Sequence, residues 1–321
     1  MHGMFTIFRK EMEDHFSSIR FLLISALIVM VGVIIASMVG MGIQEESKGM
    51  AKPTFLFLWL FTSTGKLFSF VQFIGFFGPL IGIFLGFDSI NRERVSRTLS
   101  KLLSQPIYRD SVINAKFLAG VAIIAIVLVA IVLIISGLGI RLIGVVPGAE
   151  EVSRLVIYLI ASILYIAFWL GISILFSVVF RSTATSALAS LAVWIFFSFF
   201  ISLGAGFLAD AMAPIGQSGA GMDPTLVVKH EQVQRTISLF SPITLYNDAT
   251  ITILDPLRKT TRSLILMGPL ERLSLSRFQS PLPVLQSLFI VIPHLVSLVA
   301  ITFLCFGICY LVFMRQEIRT V

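Results

Sequence analysis

Charge is scarce in this chain of 321 residues: 13% are charged and 57% hydrophobic, against roughly a quarter charged and about half apolar in soluble domains. With a mean hydropathy of +0.97, the composition suits lipid and argues against a soluble enzyme. Cysteine is also nearly absent. Cys305 and Cys309 lie in one apolar run, which excludes a disulfide framework. Their i, i+4 spacing puts both on one helix face, so a soft-metal pair is conceivable beside the plainer reading of small apolar filler. Four histidines, His2, His15, His230 and His294, are too scattered to suggest a metal cluster. Neither HExxH nor GxSxG occurs. A phosphate loop is missing too: Gly65-Lys66 has Leu60 where its first glycine should stand and Leu67 in place of Ser or Thr. This chain therefore cannot hydrolyse ATP by that machinery.

What is present is a set of apolar stretches of about 20 residues or more, the length a helix needs to cross about 30 Å of hydrocarbon. They do not alternate as barrel strands do. The pattern predicts an all-α integral membrane protein with six spans, at about 21–43, 67–87, 117–142, 155–180, 186–208 and 286–313. The first begins only after Glu11, Glu13 and Asp14, unlike a basic signal leader, so it is expected to stay in the protein. Phe55–Phe61 is too short to cross and sits beside Pro53. It is read as lying at the interface or extending the second span.

Twelve Lys and Arg fall before the first span, in 88–116, in the 181–185 turn and at the C-terminus, against five in the short connections on the other side. The positive-inside rule then puts both termini in the cytoplasm and 209–285 outside. The net charge of +7 reflects this orientation and not a nucleic-acid surface. Span centres hold essentially no ionisable residue: Asp88, Lys116, Arg141, Arg181 and Asp210 stand at ends, and His294 near the start of the last span. A carrier driven by a buried carboxylate is disfavoured, and the driving force must come from elsewhere.

Between the spans, residues 4–19 space Phe5, Phe8, Met12, Phe16 and Ile19 three or four apart, with Arg9, Lys10, Glu11, Glu13 and Asp14 around them. This reads as an amphipathic interfacial helix, or else as an extension of the first span. In 88–116, Val95, Leu99, Leu102 and Leu103 recur at helical spacing until Pro106. That segment is either a docking helix for a soluble partner or a solvated loop. Asp110 stands as an acceptor for a helix start, and Lys116 is placed to snorkel from the third span. Seven prolines break 209–285 into short helices expected to lean on the outer membrane surface, with or without a role as a substrate vestibule. Gly78, Gly82 and Gly86 repeat every four residues, a smooth face for packing within the chain or for a dimer seam.

Asp88 to Lys116, DSINRERVSRTLSKLLSQPIYRDSVINAK, resembles the signature that follows the second span of type-2 ABC transporter permeases. The matches are Glu93, Arg94, Thr98, Leu99, Leu102, Leu103, Ser104, Pro106, Ile107, Arg109 and Lys116, while Val95 replaces an acidic residue and Arg97 a glycine. The whole outline is similar, as is SPITLYNDA at Ser241–Ala249. The resemblance implies a multi-pass permease of the cell membrane, part of an ABC exporter. Its partners would be an ATP-binding subunit, which holds ATP and Mg, and a second permease, identical or not, with lipid around them. Coupling would rest on Asp88, Arg92, Glu93, Arg94, Arg97, Leu99 and Leu102, charges for orientation and leucines for docking. The path would run between two such subunits, lined mainly by second and fifth spans, where Phe73, Phe76, Phe77, Phe196, Phe197, Phe199 and Phe200 admit amphiphilic cargo or serve only packing. An ion-coupled secondary transporter is the alternative.

Overall fold

The computed structural model describes residues 2–46, 55–62, 69–96, 98, 108–214, 224–261, 266 and 280–315. Every regular element among them is helical. They are α1 (His2–Phe16), α2 (Ile19–Glu46), a 3₁₀ helix (Leu56–Leu60), α3 (Phe70–Gly86), α4 (Asn91–Val95), α5 (Arg109–Ile143) and α6 (Ala149–Val179). There follow α7 (Thr183–Ile195), a π-helical turn (Phe196–Phe200), α8 (Ile201–Met212), α9 (Pro224–Ser238), α10 (Pro242–Leu254) and α11 (Val284–Arg315). Six stretches are long and apolar enough to cross a bilayer: Ile19–Glu45, Phe70–Val95, Arg109–Ile143, Ala149–Val179, Thr183–Met212 and Val284–Arg315. In hydrocarbon a helix suffices because it satisfies its own backbone groups.

The ends carry ordinary local signals. Ser69 and Gln72 form a capping box, the Gln72 N–H donating to Ser69 Oγ at 3.1 Å and the Ser69 N–H to Gln72 Oε1 at 3.0 Å. Gly144 closes the third span at φ +66°, the left-handed conformation glycine accepts without strain. That span begins at Arg109, not near 117, so Lys116 is inside the helix. Asp110 is not its cap. The Tyr108 cap position has no side-chain bond, and Asp110 Oδ1 instead accepts from the Ser111 N–H at 2.7 Å.

The fourth span is the hub of the bundle, packing on the second, third, fifth and sixth spans and on α10. Its closest neighbour is the glycine face of α3. A Cβ at Gly78 would stand 3.0 Å from Ile166 Cδ1, at Gly82 2.7 Å from the Ile166 carbonyl oxygen, and at Gly86 2.8 Å from Ser173 Cβ. The Tyr165 hydroxyl and the Ser173 hydroxyl cross the same seam to the carbonyls of Gly75 and Ile83 at 2.7 and 2.8 Å. The fifth span is peripheral: 11% of its apolar window is buried, against 67% for the fourth, which leaves it facing lipid or another chain.

Two segments differ from the sequence reading. The 3₁₀ helix is separate from the second span and is packed inside the protein. Leu56, Phe57, Leu58 and Leu60 are buried, and Leu60 fills the space left by Gly139, whose added Cβ would stand 2.1 Å from Leu60 Cδ1. Nor does α10 lean on the surface, whereas none of the described residues of α9 is buried. They form a hairpin whose tip reaches Phe197, halfway along the fifth span: Ser241 Oγ donates to the Phe197 carbonyl at 2.7 Å. Tyr246, fully buried, stacks on Tyr165 with ring centroids 4.5 Å apart. Backbone that interrupts helices at this depth is tolerated because protein surrounds it.

Gly82→Ala should lower the thermal stability of the detergent-solubilised chain by about 1–3 kcal/mol, because a backbone oxygen cannot give way to the new methyl. Gly42→Ala, with nothing within 4 Å of its Cβ, should be neutral or gain up to about 1 kcal/mol from helix propensity. Equal melting shifts in the two variants would contradict the close seam.

Candidate coupling site

At the end of the bundle where α1 lies, three elements far apart in sequence meet around one lysine. Lys116 of the third span is 2% exposed in its side chain and stands 2.8 Å from Glu11 Oε1 of α1 and 3.0 Å from Glu93 Oε1 of α4. Lys10 bridges the same carboxylates from outside, 3.4 Å from Glu11 and 3.3 Å from Glu93, and reaches Asp14 at 3.6 Å. Lys116 therefore does not snorkel to water. Its ammonium is neutralised within the protein, as an ion at this burial must be.

α1 delivers Glu11 because the buried face of that helix carries Ile7 and Glu11, i and i+4, while Phe5 and Phe16 are exposed. The face presented to the bundle is thus turned from the one the apolar spacing suggests. α4 delivers Glu93 through a dense set of backbone anchors. The N–H groups of Ile90 and Asn91 both donate to Ser177 Oγ of the fourth span, at 3.0 and 3.2 Å. Arg94 donates to the carbonyls of Phe180 and Val178, at 3.2 and 3.3 Å, where a cation suits the C-terminal end of a helix.

Electrostatics follow from this geometry. Burial pushes the Glu11 carboxyl up, but Lys116 and then Lys10 outweigh it, so its pKa lies below the ordinary 4.5. Burial lowers Lys10, and Glu11, Glu93 and Asp14 more than restore it, to above the ordinary 10.5. Burial pulls His15 below the ordinary 6.5 against the opposing pull of Glu11 and Asp88.

Of the residues singled out in sequence, Glu93 and Arg94 turn inward to hold α4, Arg92 is exposed, and Asp88 is part-buried. Asp88, Arg92 and Glu93 line a cavity of about 680 Å³ with Lys10, Glu11 and His15. Arg97, Leu99 and Leu102 lie outside the described residues. Lys116 was read in isolation and Glu11 as one charge of a solvated face; their pairing spans 105 positions and has no local signal. Ser177 is equally silent, a single hydroxyl in an apolar run.

The chain thus combines six candidate spans with a buried ionic joint at one end of the bundle and a sequence without a phosphate loop. The chain belongs to the ABC-2 transporter permeases: the family model described as "ABC-2 family transporter protein" matches residues 5–318. No curated protein matches it. Members of the family are membrane subunits for transport, generally without an ATPase of their own.

Lys116→Met should cost about 3 kcal/mol, since it leaves two buried carboxylates sharing Lys10. Combined with Glu11→Gln it should show a coupling of about 1–3 kcal/mol in a double-mutant cycle of thermal unfolding. Because Glu11 has its folded pKa depressed, its contribution is complete above pH 4.5 and lost as pH falls below that value. His15, also depressed, should add a loss that begins as pH falls through 6.5. His15→Gln should remove the earlier phase of the fall and Glu11→Gln the later one.

Proposed function

We propose that this chain is the permease subunit of an ATP-driven exporter. The partner ATPase, which binds ATP and Mg, docks on α1, α4 and residues 97–107 at the cytoplasmic face. The observation that carries this is the Lys116 joint, which ties α1 and α4 to the third span, so that a push on either is delivered to the bundle. The excess of basic residues supports placing that end, and both termini, in the cytoplasm. Arg92 and Val95, both exposed on α4, supply a charged and an apolar contact at the docking face. The missing phosphate loop is then the expected counterpart of an ATPase in another chain.

In this reading closure of the ATPase dimer swings α1 and α4 as one lever and alternately opens the two ends of a path between a pair of permeases. The second and fifth spans border that path, the fifth with Phe196, Phe199 and Phe200 exposed toward the second permease. Amphiphilic cargo fits such a surface.

Affinity purification of the full chain from its own cells should bring down a soluble ATPase that carries a phosphate loop. Replacing Arg92 with Glu, or Leu99 with Ala, should reduce its recovery about tenfold, on the scale of one lost interface anchor. Recovery without any such ATPase would contradict the proposal. So would efflux of a cargo that stops with an uncoupler but survives ATP depletion, the result expected of an ion-coupled carrier.

A further inference from the structure

Clustered ionisable groups packed inside a membrane protein mark candidate functional sites, and one group of four stands away from the coupling end. Arg235 of α9 is hydrogen-bonded to the Asp248 carboxylate of α10, and its Nη2 also donates to the Thr261 carbonyl at 3.1 Å. Arg258, on the segment after α10, has Nη2 3.9 Å from Asp248 Oδ1, and His294 of the sixth span has Nε2 4.0 Å from Asp248 Oδ2. One carboxylate thus faces two guanidinium groups, so the cluster keeps a net positive charge. Asp248 Oδ2 takes up Nη2 of Arg235, a side chain with further donors in a fixed plane. His294 Nδ1 is buried and has no hydrogen-bond partner among the described residues.

Beside this cluster lies a cavity of about 610 Å³, inside the range usual for small-ligand sites. Gln232, Arg235 and His294 line it with polar atoms, and Leu239, Ile290 and Pro293 with apolar ones. Phe289 and Ile292, next to these on the sixth span, are exposed at 64% and 39%, and Phe240 at the hairpin tip at 71%. The cavity is therefore flanked by surface suited to lipid tails, not to water.

We propose that this cavity binds the anionic head of a membrane amphiphile, a phosphate- or carboxylate-bearing group. Arg235 and His294 hold the head, and the chain runs past Leu239 and Ile290 into the bilayer. Occupancy would fasten the α9–α10 hairpin to the sixth span. None of the residues that line this cavity belongs to the second or fifth span, and the site requires neither the ATPase nor an assigned orientation, so it stands or falls apart from the transport reading.

The test is a titration of the purified full chain in detergent with phosphatidylglycerol, phosphatidylcholine and glycerol phosphate, read by native mass spectrometry and by melting temperature. Phosphatidylglycerol should be retained and raise the melting temperature, phosphatidylcholine should not, and free glycerol phosphate should bind at least about tenfold more weakly. Arg258→Gln lowers the positive charge, and Thr236→Trp fills the cavity from α9. Each should weaken phosphatidylglycerol about tenfold, whereas Lys229→Gln, an exposed cation on the same helix, should not. Equal retention of the neutral lipid, or unchanged affinity in both variants, would overturn the proposal. Glycerol phosphate binding as tightly as the lipid would overturn the amphiphile and leave a soluble anion as the ligand.

Discussion

A lysine whose side chain is 2% exposed cannot remain charged without partners, and removing its hydration costs several kcal/mol. Lys116 meets that demand with one carboxylate from α1 and one from α4, so the third span, α1 and α4 meet at one point. Apolar contact contributes on α1, where Ile7 is buried and Met4, Phe8 and Met12 pack on the core, whereas α4 has only five residues. The joint is also directional. A hydrophobic contact would let α1 slide, whereas charge-assisted bonds near 3 Å hold a register.

The opposite end is organised on the same principle with a different cation. Arg154, fully buried, donates to the Ile253 carbonyl at 2.7 Å, to the Leu282 carbonyl and to Ser287 Oγ at 3.1 Å, and pairs with Glu150 at 2.9 Å. Its guanidinium lies 5.7 Å from the centre of the Phe55 ring. It thereby ties the end of α10, the approach to the sixth span and the 3₁₀ helix to the fourth span. Between the two cations, glycines at 78, 82 and 86 let the second span lie against the fourth at backbone distance. The two joints sit on neighbouring helices, Arg154 on the fourth span and Lys116 on the third.

The spans and the family were legible because their signals are local: runs of apolar residues, and a motif contiguous from Glu93 to Arg109. The hairpin was not. Pro242–Leu254 is too short to cross a bilayer and carries Asn247 and Asp248, so its sequence is indistinguishable from that of a surface helix. Its depth comes from Ser241 on a carbonyl of the π turn and from Tyr246 on Tyr165 and Ser162. Glu93 and Arg94, singled out from the motif, turn their side chains toward the bundle, while Arg92 is exposed. Helical spacing gave the amphipathic character of α1 but not its exact rotation: Ile7 and Glu11 are buried, Phe8 and Met12 pack beside them, and Phe5 and Phe16 are exposed.

Hydrogen exchange of the full chain, wild type against Lys116→Met, bears most directly on whether one lysine holds the coupling end together. Amides of α1 and α4 should lose protection together and to a similar degree, while α10 at the other end keeps its own. Loss confined to one of the two helices, or unchanged protection in both, would contradict a shared joint.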